Sequence, residues 1–557
     1  MRRLIAVFVA FVALVAVSSA DAGSWSSGVS FTNEVASSPA PGWGYPAADG
    51  SPEPGTCTDG PFNSNRSESW IAVDPGTENA VGTSKFFFDK YSTFYNFYLG
   101  AYTILGGTPS GNVGIPGYDC ITTGTQEMPP SWTNNTDPNV DFDTQHRAYQ
   151  TTLPFNAYWT NLHPNGAIGA VYSDDLGQTW KLSKGSDRFG YLEFLNNQSS
   201  FSFGGFEDKQ WVAVNHYPNS GYTDANGFHS TTDHAYAMWS VFNGDAVKLR
   251  ESVSRDRGLT YSKPITISVP SQTGPSTTYV YPSVGSDGTL WVALASFHPR
   301  SGSVDADIYV TQSKDDGKTF LPWTFVVRSR GNPGDFVNGN FRDGILENFA
   351  ASQTYPNHAY LTYEDWNSAT GTMDVRFAYT TSGLTGWTTG FYANDASTQN
   401  DSTDQFQPSV AAGPGGAVAV AFYDRRGTCP DDASVAPENV GDENTCIDVS
   451  LQAYKDTGTT VTPLGTNAKI TDFAWDPSEP RQHVDGIGQI ACYRHNDPCT
   501  GVFIGDYFGL AVSGGNIYAL FVSTHYESTV AADEGGTVYY QQQVLAKIPR
   551  SGFGADY

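Results

Sequence analysis

Ser173-Asp174-Asp175-Leu176-Gly177-Gln178-Thr179-Trp180 decides the fold, because the chain repeats its pattern. Ser254-Arg255-Asp256-Arg257-Gly258-Leu259-Thr260-Tyr261 and Ser313-Lys314-Asp315-Asp316-Gly317-Lys318-Thr319-Phe320 share the form S-x-D-x-G-x-T-aromatic. The physics is that of a hairpin turn. The Asp carboxylate can accept bonds from turn amides, Gly takes φ > 0, and the aromatic packs beneath. One copy would be a weak signal, but three in one chain mark a repeating β-structure. Thr381-Ser382-Gly383-Leu384-Thr385-Gly386-Trp387 reads as a fourth, degenerate copy.

Short apolar runs rich in β-branched and aromatic residues surround these turns. Trp70–Val73, Trp211–Val214, Leu290–Leu294 and Ala417–Phe422 are examples, each bounded by Gly, Pro, Asn or Asp. Helical periodicity is absent after the first residues, so the chain reads as all-β. A strand–turn–strand unit recurs near Asp74, Asp143, Asn215, Gly285, Ser352, Gly413 and Ser513. The spacing is about 60 to 70 residues, with one interval of about 100 near the end. Such periods predict a β-propeller of four-stranded blades, seven or six in number. Composition agrees. Charged residues are only 16%, too few for a coiled coil, and 14% aromatics can build a large core. Lys plus Arg is 30 against 57 Asp plus Glu, a formal charge of -27, which disfavours nucleic acid and anionic membrane surfaces as partners.

Residues 1–22 read as a secretory signal peptide, with basic Arg2-Arg3, apolar Leu4–Val17 and small residues at the cleavage positions. The mature protein is expected to be secreted, with no membrane insertion. A Ser/Gly/Pro-rich segment, 23–62, wraps the surface before a single propeller over 63–550. The six cysteines suggest disulfides, and proximity favours 57–120, 429–446 and 492–499. Asn65, Asn134, Asn197 and Asn400 occupy N-x-S/T sequons. No zinc-type ligand spacing occurs, so no metal site is assigned. Acidic stretches such as Asp305-Ala306-Asp307 and Asp431–Glu443 allow a structural Ca²⁺, although neither fits an EF-hand. No cofactor is required by this reading.

The repeated turns resemble the Asp-boxes (BNR repeats) of sialidase-like β-propellers, in their secreted bacterial-type branch. The resemblance covers most of residues 65–545. It implies a site at the central axis, with the Asp-boxes at the periphery and free of chemistry. Sialidase chemistry needs an Arg cluster for a carboxylate, a Tyr nucleophile activated by Glu, and an Asp acid/base. By resemblance, Arg66, in Asn65–Val73, matches loosely the first-blade Arg of a motif whose Ile-Pro is missing here. Arg425 or Arg426, after Gln407-Pro408-Ser409, fills a second Arg place, with Gln407 where the activating Glu stands. Glu347 is the substitute Glu, one blade earlier. Gly505-Asp506-Tyr507-Phe508-Gly509 resembles the segment carrying the nucleophile, so Tyr507 is the match. Asp143 is the candidate acid, with Asp141 as its neighbour.

Each candidate also has a plain structural reading. Arg425 and Arg426 can be ion pairs with Asp424 and the acidic loop, Tyr507 can be core, and Glu207-Asp208-Lys209 reads as a surface ion pair. The expected function is hydrolysis of a complex or acidic extracellular glycan, with exo-sialidase activity as the sharpest form. A polysaccharide lyase on a uronate-containing glycan and a non-catalytic glycan- or protein-binding propeller are the alternatives. The partner is a carbohydrate substrate or ligand; the oligomeric state is left open.

Overall fold

The computed structural model describes residues 25–26, 28–37, 66–87, 97–115, 134–156, 165–195, 206–243, 246–300, 303–332, 334, 336–339, 341–344, 347–399, 401–430, 435, 437–477, 503–526 and 541–557. The expected signal peptide, Cys57, Cys120, Cys492, Cys499 and the Asn65, Asn197 and Asn400 sequon asparagines lie outside these residues. The chain is a β-propeller of four-stranded antiparallel blades. Arg66–Val73, Ala80–Phe87, Phe97–Leu105 and Thr108–Gly114 form one such meander. Phe206–Val214, Ala235–Asn243, Ala246–Ser254 and Ile265–Thr266 form another. Two further meanders, begun by Thr277–Val284 and Glu347–Ala351, share a strand pairing at Arg330–Asp365. In the blade built on Ala148–Asn156 and Asn165–Ser173 each edge position is split in two: Asn134–Thr136 and Asp141–Phe142 pair with the former, Lys181–Leu182 and Glu193–Leu195 with the latter.

The first strand of each meander lies innermost. Arg66–Val73, Asp141–Phe142, Phe206–Val214, Thr277–Val284, Glu347–Ala351, Gln405–Gly413 and Gly509–Val512 contact one another in that cyclic order, and the last returns to the first. The strand–turn–strand places read from the sequence fall where these inner strands turn outward. The ring is closed by a strand from the segment expected only to wrap the surface. Thr32–Val35 pairs with Gln542–Pro549, beside Asn516–Ser523 and Gly509–Val512. Neighbouring blades cover both faces of the middle strands, which is why Ala417–Asp424 is buried at every position and reads as a continuous apolar run.

The three S-x-D-x-G-x-T turns share one set of hydrogen bonds. In the first, Ser173 Oγ donates to Asp175 Oδ1 (2.8 Å), and Asp175 accepts from the Thr179 amide (2.8 Å) and hydroxyl (2.6 Å). The second and third repeat these bonds through Asp256 and Asp315. Two left-handed residues make each turn, for example Leu176 at φ +57° and Gly177 at +80°. The degenerate copy lacks the Asp, and Thr380 Oγ1 instead donates to the Gly383 and Thr385 carbonyls.

A second repeat ties blade to blade. Arg147-Ala148-Tyr149, His234-Ala235-Tyr236 and His358-Ala359-Tyr360 each begin a second strand. Each reaches the outer turn of the following meander. His234 Nδ1 and the Tyr236 hydroxyl meet Asp316 at 2.8 and 3.0 Å, and His358 Nδ1 and the Tyr360 hydroxyl meet Asp456 at 2.6 Å. Arg147 donates to the Arg257 carbonyl. His358, Tyr360 and Asp456 are all buried. Asp456→Ala strands two buried polar groups, and the free energy of unfolding, read by urea titration, is expected to fall by about 3 kcal/mol.

Candidate functional site

The inner strands do not start as regular β-structure. Their pairing slips between Ser67 and Trp70, Asp208 and Trp211, Thr278 and Tyr281, and Phe406 and Ser409. Inside each slip one non-glycine residue sits in left-handed backbone: Glu68 at φ +48°, Lys209 at +53°, Tyr279 at +54° and Gln407 at +45°. Asp137 (+59°) and Gly505 (+103°) precede the inner strands of two further blades. A bulge of this kind re-aims its side chain away from the strand's normal alternation. Repeated around the ring, it gathers side chains at one end of the central axis. Two residues beyond the bulge stand Trp70, Trp211, Tyr281 and Tyr507. Trp211 meets the other three at ring separations of 4.6, 5.0 and 5.2 Å. These rings plug the axis beneath the gathered polar groups.

Asp506 is the hub of those groups. Arg342 Nε donates to its Oδ1 (2.8 Å) and Arg342 NH2 to its Oδ2, while Lys209 Nζ donates to Oδ2 (2.9 Å). Lys209 also lies 3.8 Å from Asp137, and Lys85 Nζ pairs with Glu68 at 2.7 Å. Burial opposes ionisation of Asp506, but Arg342 and Lys209 outweigh it and hold the carboxyl well below its usual range. Burial raises the Glu68 pKa, with Lys85 opposing.

Arg342 and Asp343 arrive on a loop that lies directly on this hub. A Cβ on Gly344 would sit 2.6 Å from Asp506 Oδ1, so glycine permits the approach. Arg425 holds the loop from behind, donating to the carbonyls of Val337 (2.8 Å) and Asn338 (3.0 Å) with its guanidinium over the Phe341 ring. Asp343 meets Glu364, and the Gln407 amide donates to Glu364 Oε1. Two carboxyls can make such a contact only by sharing a proton. Burial pushes Asp343 up to about 7, and burial together with the Asp343 charge raises Glu364 well above the carboxylate range. Arg342 keeps 41% of its side chain exposed. The face therefore combines a proton-bearing carboxyl, an ionised carboxylate and solvent access.

The residues singled out from sequence divide between this face and the rest of the fold. Tyr507 lies in the aromatic plug directly below Asp506. Its hydroxyl donates to the Pro138 carbonyl (3.2 Å), and burial, with Glu68 next, raises its pKa well above the usual phenol value. That is opposite to the activation a nucleophilic phenol needs. Glu347 heads its inner strand, fully buried, and its carboxyl oxygens have no hydrogen-bond partner among the described residues; burial raises its pKa far above the usual range. Asp143 follows the outer end of its inner strand, on the opposite face. It accepts bonds from the Gln145 and Arg147 amides, the Tyr149 hydroxyl and Arg257 Nε. It acts there as a structural knot.

Arg66 is fully buried at the head of the first inner strand, its carbonyl taking a bond from Gln541. Arg426 is clamped by Asp424 (2.8 Å), Asp395 (2.8 Å) and Asn467 (2.8 Å), while Arg425 pairs with Asp404 (3.3 Å) and donates to the Thr445 carbonyl of the acidic loop (3.2 Å). Lys209, expected on the surface, points into the central face instead, with 12% of its side chain exposed. Asp305-Ala306-Asp307 lies within a strand, and Asp307 is gripped by Arg328 (2.6 and 3.0 Å) and His298 (3.0 Å). On the opposite face, below the aromatic plug, a cavity of about 460 Å³ is lined by Val73, Val214, Val284, Ala351, Ala412 and Val512. Asp141 and His216 stand at its rim, 3.9 Å apart.

No protein-family model and no curated protein sequence matches the chain. Solved structures resemble it at low identity. The polysaccharide lyase Uly1 is 9% identical, with a TM-score of 0.42, over 94% of this chain and 97% of that one. The phage phi92 endosialidase is 11% identical, with a TM-score of 0.41, over 88% of this chain and 68% of that one. A protein of unknown function from Dyadobacter fermentans is 13% identical, with a TM-score of 0.40, over 70% of this chain and 95% of that one.

Left-handed backbone costs an ordinary residue about 1–2 kcal/mol. At position 209, glycine and alanine both delete the ammonium, but only glycine relieves the backbone. Lys209→Gly is expected to exceed Lys209→Ala in unfolding free energy by about 1 kcal/mol in urea titration.

Proposed function

We propose that the chain is a secreted glycoside hydrolase and that the face built on Asp506 is its active site. One observation carries this reading. The loop bearing Asp343 completes a proton-holding pair of carboxyls, Asp343 with Glu364, beside a carboxylate kept ionised by two cations. Environments that drive neighbouring carboxyls in opposite directions are how a glycosidase divides acid from charge-stabilising roles. Asp343 is assigned as the general acid, protonating the glycosidic oxygen as the bond to the leaving sugar breaks. The shared proton leaves with the departing sugar, and the water that adds to the anomeric carbon returns one to the Asp343–Glu364 pair. Asp506 stabilises the positive charge that develops on the sugar ring. Addition of water completes the cleavage and leaves a new reducing end. The Cys429–Cys446 disulfide supports an oxidising compartment, and no helix among the described residues is long and apolar enough to cross a membrane.

The sialidase-type reading keeps one point in its favour: Tyr507 follows Asp506 directly and lies on the axis beneath it. Two variants separate the readings. Asp343→Asn is expected to lower kcat at least 100-fold in a reducing-end assay over a panel of polysaccharides. Because the acid must be protonated, wild-type turnover is expected to fall as pH rises through about 7. Tyr507→Phe is expected to keep kcat within about threefold. Abolished turnover in Tyr507→Phe with Asp343→Asn active would move the chemistry to the phenol. Absence of turnover on every glycan would return the protein to the binding class.

A further inference from the structure

We infer that the central face accepts a sugar that carries no carboxylate or sulfate, and excludes uronates and sialates. This rests on the reading of that face as the sugar-binding site. An anionic sugar needs a guanidinium or ammonium able to turn towards it, preferably a planar fork. The cations that reach the Asp506 and Glu68 carboxylates, Arg342, Lys209 and Lys85, are already engaged by the protein. Arg342 spends its fork on both oxygens of Asp506, Lys209 bonds the same carboxylate, and Lys85 pairs with Glu68.

An incoming carboxylate could take the bidentate Nε–NH2 edge of Arg342 only by displacing Asp506, and the donors left over belong to a cation whose charge Asp506 already neutralises. That exchange leaves Asp506, with 3% of its side chain exposed, short of a partner in a buried setting, which is strongly unfavourable. Carboxyls also outnumber the cations. Asp137, Asp343 and Glu364 stand beside the paired groups. Even with one proton shared between Asp343 and Glu364, the face holds excess negative charge. The whole chain adds to that field, at a formal -27. Sugar hydroxyls meet the opposite situation, because carboxylate oxygens accept their hydrogen bonds. The Tyr279 ring, lifted into the face by its left-handed backbone, offers an apolar surface beside Lys209. The selectivity is thus built by Asp506, which neutralises in advance the two cations that would otherwise recruit an acid.

Affinity electrophoresis of the full chain through gels containing arabinan, xylan, galactomannan, polygalacturonate or polysialate tests this without requiring turnover. At least one uncharged polysaccharide is expected to bind at least tenfold more tightly than either polyanion. Asp506→Asn keeps the shape and frees Arg342 and Lys209, so its polyanion affinity is expected to rise at least tenfold and to fall again with added salt. Wild-type affinity for a polyanion matching that for the uncharged glycans overturns the inference. So does failure to bind any uncharged glycan, or a folded Asp506→Asn with unchanged polyanion affinity. The wild-type comparison stands by itself if Asp506→Asn does not fold. An uncharged glycan bound but never cut counts against hydrolysis alone. A polyanion cut with new reducing ends counts against this inference alone.

Discussion

The central face depends on one backbone constraint: a left-handed residue at the head of inner strands. Glu68, Asp137, Lys209, Tyr279 and Gln407 all hold positive φ, and none is glycine. Each pays about 1 kcal/mol or more for that conformation, and the surrounding sheet must over-determine it. Regular strands would send these side chains alternately into the two neighbouring blades. The left-handed residue turns them to the axis instead, and two residues after Glu68, Lys209 and Tyr279 the strand regains its register with an aromatic ring in the plug. Charged face and apolar floor therefore come from one device. Gly505 shows how tight the arrangement is, since a Cβ there would lie 2.5 Å from the Glu68 amide nitrogen.

The charges on that face are balanced against each other rather than against solvent. Asp506 remains ionised because two cations reach it. Asp343 and Glu364 have no such cation, so burial makes them share a proton. Removing one member of a network like this changes the protonation of its neighbours. Arg425 governs the same balance from outside. By fixing the Val337 and Asn338 carbonyls, it places Arg342 over Asp506 and Asp343 against Glu364. Arg425, read from sequence as a candidate substrate-binding Arg, is buried and anchors the Arg342 loop by its carbonyls.

The fold was largely legible because its signals are local. A hairpin turn is written in eight consecutive residues, and the three S-x-D-x-G-x-T copies close with the bonds their side chains imply. The inner-strand turns were also readable, as was the Cys429–Cys446 bridge, which closes a short loop. Closure by Thr32–Val35 was not legible, because its partner lies some five hundred residues away and pairing leaves no sequence mark. The site was legible only in part. Tyr507 was placed on the axis, but its role depends on what its hydroxyl meets, and Pro138 is invisible from Gly505–Gly509. Glu68 and Lys209 did carry a signal: a charged residue two positions before Trp70 or Trp211 at a strand start. Arg342-Asp343-Gly344 carried none, being a loop whose meaning comes from where it lands.

The two ends of the axis differ in chemistry. Above the aromatic plug lies the charged network; below it, a cavity in which valine and alanine are the commonest wall residues. Under the proposed function, carbohydrate binds at the charged end. A crystal structure of the full chain soaked with an iminosugar, a cationic mimic of the glycosyl transition state, tests that directly. The prediction is a sugar ring over Tyr279, with its nitrogen within hydrogen-bond distance of Asp506 or Asp343. An iminosugar in the cavity below the plug, or on the outer edges of the blades with the charged face unoccupied, would contradict it.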